Sequence, residues 1–60
     1  MKKYQSKRGT YYIEQHWMDN KYYIYRERKI SDEFGTVGEQ RGGSYKTYEE
    51  AERDLKDLYL

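Results

Sequence analysis

Sixty residues allow a single domain, near the lower size limit for a chain that folds alone. Hydrophobic residues make up 35% of the chain and charged ones 38%, and there is no cysteine, so the core is small and neither a disulfide framework nor a cysteine-based metal site can support it. The net charge of +1 hides a polarity: residues 1–29 carry eight basic groups against three acids, and residues 30–60 carry four against eight.

Nine tyrosines, one Trp and one Phe supply most of the area such a core can bury. No apolar stretch follows Met1-Lys2-Lys3, so neither a signal peptide nor a membrane anchor is expected, and a cysteine-free soluble chain suits the cytoplasm. Residues 1–9 (MKKYQSKRG) are polar, basic and aperiodic, the pattern of a flexible tail ahead of a domain spanning 10–60.

From Thr10 two β-rich runs follow, TYYIEQHWM and KYYIYRERK, separated by Asp19-Asn20, a pair that tolerates the positive φ of a tight hairpin turn. A two-residue loop sets Trp17 opposite Tyr22, Gln15 opposite Ile24 and Ile13 opposite Arg26. One face then carries Tyr11, Ile13, Gln15, Trp17, Tyr22, Ile24, Arg26 and Arg28; the other carries Tyr12, Glu14, His16, Tyr23, Tyr25, Glu27 and Lys29. Only the first holds both isoleucines and the Trp, so it is assigned to the core. Ser31-Asp32-Glu33 reads as a turn into a short third strand around Phe34–Val37, and the glycine-rich stretch Gly38–Ser44 as a mobile loop.

Thr47-Tyr48-Glu49-Glu50 is a capping box that starts a helix. Tyr48, Ala51, Leu55 and Leu58 recur on one stripe, while Glu49–Arg53 and Glu52–Lys56 are i,i+4 pairs on the wet side. The expected fold is α+β: a three-stranded antiparallel sheet packed against one C-terminal helix, in the order β-β-β-α.

No catalytic constellation is present. His16 is the only histidine, no serine sits in a nucleophile elbow, and Glu14 with His16 gives two metal ligands where zinc needs more. The glycines form no phosphate loop. The chain reads as a non-enzymatic binding module without cofactor, metal, small-molecule substrate or membrane partner.

Two surfaces are candidates. Tyr12, His16, Tyr23 and Tyr25 form an aromatic patch on the uncovered face, suited to a protein partner. Lys2, Lys3, Lys7, Arg8, Lys21, Arg26, Arg28 and Lys29 could neutralise phosphates of double-stranded DNA, with the sheet entering a major groove. Against this, Glu14 and Glu27 share the exposed face, and Arg26 and Arg28 fall on the helix side, where Glu52 or Asp54 could hold them.

Residues 22–35, YYIYRERKISDEFG, resemble the N-terminal arm-binding domain of lambda-type phage integrases, with an aromatic pair, then Tyr-Arg-acid, then Glu-Phe-Gly at similar spacing. That family has a basic tail, three strands and one C-terminal helix, the AP2-like arrangement whose sheet reads DNA. The resemblance implies sheet-mediated DNA binding in a phage or mobile element, with Lys21, Arg26, Arg28 and the basic tail on the DNA. The rival expectation is a small inhibitor or adaptor that binds a host protein through the tyrosine face, or through the helix acids Glu49, Glu50, Glu52, Asp54 and Asp57.

Overall fold

The computed structural model describes all sixty residues. Five elements follow in chain order: β1 (Lys3–Ser6), β2 (Gly9–Gln15), β3 (Tyr22–Ser31), β4 (Gly35–Tyr45) and the helix α1 (Tyr48–Leu58). The strands form one antiparallel sheet in the order β1-β2-β3-β4, and α1 packs across β2, β3 and β4 on one face. The class is α+β, with four strands where the sequence pattern predicts three. No helix is long and apolar enough to cross a membrane.

The β2–β3 hairpin turns where expected, with Asn20 at φ 58, but its strands stop earlier. The His16 N–H donates to the Lys21 carbonyl at 2.8 Å, the Asn20 N–H to the His16 carbonyl at 2.8 Å, and the Lys21 N–H to Asp19 Oδ1 at 2.9 Å. Pairing therefore starts at Gln15 opposite Tyr22 and sets Ile13 opposite Ile24, two residues away from the predicted register. A slip of two preserves every side chain's face, so the division into covered and uncovered faces holds. Trp17 does not join the core: the longer loop carries it outward, 81% exposed.

Residues 1–9 are not a free tail. Tyr4 points into the core at 6% exposure, and β1 pairs with β2 from Lys3 opposite Tyr12 to Ser6 opposite Gly9. The Tyr4 hydroxyl donates to Glu52 of α1 and accepts from the Tyr48 hydroxyl at 2.9 Å, while Lys2 lies 4.9 Å over the Tyr4 ring and 3.6 Å from Glu52. A polar segment thus holds its place through one aromatic anchor and one shared carboxylate. Burial and the Glu52 carboxylate push the Tyr4 hydroxyl pKa strongly up, and the Tyr4 hydrogen bond holds Glu52 below its usual range.

Gly38–Ser44 is strand, not loop. β4 pairs with β3 along its length, with a bulge where Tyr23 faces Ser44 and Ile24 faces Arg41, so that Gly42 and Gly43 are extra. Gly42 has φ 75, which a side chain resists, and the bulge is placed where glycine permits it.

Thr47 caps α1 as expected, its Oγ1 accepting from the Glu50 N–H at 3.2 Å. Ala51 and Leu55 are fully buried against Tyr4, Tyr11, Ile13 and Ile24, with Tyr22, Tyr45, Tyr48 and Tyr59 packed around them. Burying Ile24 or Leu55 stabilises by about 1.5–3 kcal/mol each. Leu58, predicted on the apolar stripe, is 54% exposed, and Tyr59 takes that role by packing on Tyr11 at 5.3 Å. Glu52, predicted on the wet side, is half-buried at the Tyr4 hydroxyl.

Candidate binding surface on the open sheet face

The face opposite α1 has no covering element. Period-two alternation places Tyr12 and Glu14 of β2 and Tyr23, Tyr25 and Glu27 of β3 on it. Tyr12 and Tyr25 are direct cross-strand partners, and their rings stack at 5.4 Å with 22° between planes. Tyr23, one pleat on, meets His16 edge-on at 5.9 Å, and His16 stacks on Trp17 at 6.1 Å. The four predicted patch residues therefore lie together, and the loop adds Trp17.

One hydroxyl of this row is held by a hydrogen bond, and another packs closely on a glycine. Tyr23 donates to Asp19, which raises the tyrosine pKa and lowers that of the carboxyl; the Lys21 N–H adds to the second shift. Tyr12 lies with its hydroxyl against Gly38, where a Cβ would fall 1.8 Å from the oxygen. Glycine at 38 is thus a condition for the Tyr12 ring to lie across the sheet. Partial burial pushes the Tyr12 and Tyr25 hydroxyls up, and the nearby Glu14 carboxylate adds to both shifts.

Beside the stack a cavity of about 350 Å³ opens, lined by Lys3, Tyr12, Glu14, Glu27, Val37 and Gly38 among others. Lys3 of β1 pairs with Glu27 of β3 inside it. Glu14 is exposed and makes no ion pair.

The eight basic residues do not form one surface. Lys3 and Lys29 lie on the open face, each held by a carboxylate, Glu27 and Asp32 respectively. Lys2 is on the helix side with Glu52, and Lys21 is exposed beside the hairpin turn. Arg8 and Arg26 meet where the β1–β2 turn touches the end of α1, Lys7 is exposed in that turn, and Arg28 lies further along β3. The Arg26 guanidinium donates twice to the Arg8 carbonyl, at 2.9 and 2.7 Å, and Arg8 donates to the Leu58 carbonyl at 3.0 Å. Arg28 reaches Glu39 at 3.5 Å, so neither Arg26 nor Arg28 pairs with the helix acids Glu52 or Asp54.

Sequence reasoning misses Trp17 as a surface residue and Gly38 as the seat of Tyr12. The first follows from loop length, which Asp19-Asn20 does not specify. The second carries no local signal, because the contact is made across the sheet. No three His, Asp or Glu side chains converge for a metal ion. No family model, curated protein or solved structure matches the chain.

Proposed function

We propose that the chain is a small non-enzymatic binding module that docks a protein partner on the open face of its sheet. The aromatic row running from Tyr12 and Tyr25 through Tyr23 and His16 to Trp17 supports this reading. Tyrosine and Trp give large contact area at low entropic cost, and such rings anchor the centres of protein interfaces. The electrostatics of this face point the same way. Its two cations already have carboxylates, and Glu14 would repel a phosphate backbone.

A second reading, DNA binding, is favoured by one observation: Arg26 folds onto Arg8 at the corner formed by the β1–β2 turn, which also carries Lys7, together with the resemblance of residues 22–35 to integrase arm-binding domains. In that reading the corner, and not the aromatic row, meets the phosphates.

Titration of labelled duplex at about 50 mM salt separates the two, because phosphate contacts are strongest there. The protein-docking reading expects no saturable binding to duplex, and a photocrosslinker at position 17 that traps one stoichiometric partner, lost in Tyr25→Ala. Saturable duplex binding that weakens steeply with salt and is lost in Lys7→Ala would overturn it.

A further inference from the structure

The cavity beside the Tyr12–Tyr25 stack is lined by one aromatic ring, Tyr12, by the carboxylates of Glu14 and Glu27, and by Lys3 and Met1 among others. Of the two carboxylates only Glu27 has an ion-pair partner, Lys3. The Lys3 side chain comes from β1, while Glu27 lies on β3, so the ammonium crosses the intervening strand at the level of Tyr12, its own register partner. The chain thus already lays a cation across this site. Ring faces carry negative charge density and carboxylates a full charge, so the missing complement is positive.

We infer that this cavity takes an arginine side chain from an exposed segment of the partner protein. The guanidinium is planar, stacks on tyrosine faces and presents paired donors to a carboxylate, so one group can meet Tyr12 and Glu14 together. The cavity volume of about 350 Å³ leaves room for such a head and its methylene stem. The inference rests on the open face being the docking surface, and it names the chemistry that surface selects.

Lys3 is a competitor in this scheme, which fixes the sign of a test. Removing it frees Glu27 and makes the cavity a better cation site. A phosphate-binding surface would respond in the opposite sense.

The full chain, labelled for NMR, is titrated at low salt with end-blocked Gly-Arg-Gly and with the same peptide carrying citrulline, the neutral isostere, or glutamate. The arginine peptide is expected to move the Tyr12 and Tyr25 ring signals, saturating in roughly the millimolar range. Glu14→Gln should weaken it by about three- to fivefold, the scale of a partly exposed ion pair, and Lys3→Gln should tighten it. Both positions are exposed, so folding is not at stake. Equal shifts with citrulline, or weaker binding in Lys3→Gln, would overturn the cation inference while leaving the docking face standing. No response of the tyrosine rings to any peptide would count against both.

Discussion

The two faces of the sheet use the same residue type for different ends. Under the helix, Tyr4 and Tyr11 are buried with Ile13 and Ile24, and the Tyr4 hydroxyl is enclosed between Tyr48 and Glu52. On the other side, Tyr12, Tyr23 and Tyr25 keep one side of each ring wet, and the anchored hydroxyl of Tyr23 bonds to a surface aspartate. Composition does not separate them; strand parity does. Tyr11 and Tyr12 are neighbours in sequence and lie on opposite faces. A chain this short has one core, so aromatic area on the second face is surface held in place by stacking.

This contrast can be broken first at the core. Ile24→Ala should cost about 2–5 kcal/mol, comparable with the roughly 3–5 kcal/mol a core of this size supplies. The variant is expected to be largely unfolded by circular dichroism at 25 °C. Tyr4→Phe removes the shared hydroxyl and should cost about 1 kcal/mol in urea unfolding, whereas Tyr23→Phe, on the open side, should leave the midpoint unchanged. Thr47→Ala should cost a similar amount, about 1 kcal/mol, through loss of the helix cap.

Tyrosines on both faces are raised, but the larger shifts lie under the helix, so the alkaline response should come mainly from that side. Burial raises Tyr4, and it pushes Tyr45 up to about 12, with Asp54 beside Tyr45 adding to its shift. A raised tyrosine contributes stability that is complete below its unfolded pKa, about 10, and is lost as pH rises through the folded value. Stability should therefore fall from about pH 10 upward, and Tyr45→Phe should flatten that fall. In acid the sign reverses. Glu52 is lowered in the fold, so its contribution holds above the usual carboxylate range and is lost as pH falls through the folded value. Glu52→Gln should remove that part of the acid dependence.

Much of this contrast is legible in the sequence. Ile13 and Ile24 mark the covered face by alternation alone, and the pattern survives a wrong loop length because the error is two residues. Thr47 marks the helix start through its own local chemistry. β1 is not legible, because one tyrosine among MKKYQSKRG shows no period and its partners, Tyr48 and Glu52, are far along the chain. β4 is not legible either: its glycines lower strand propensity, yet Gly38 seats Tyr12 and Gly42 allows a bulge, both set by neighbouring strands. Of the candidate surface, Tyr12, His16, Tyr23 and Tyr25 come from alternation, while Trp17 depends on where pairing stops.

The most direct measurement compares urea unfolding of Trp17→Ser/Tyr25→Ser with that of Tyr11→Ser. An open aromatic face that serves as surface predicts a midpoint close to that of the parent chain for the double variant, and a large drop for Tyr11→Ser, whose ring is 3% exposed. Equal drops would mean that the row is a second core, and would contradict the division of the sheet into a covered folding face and an open surface.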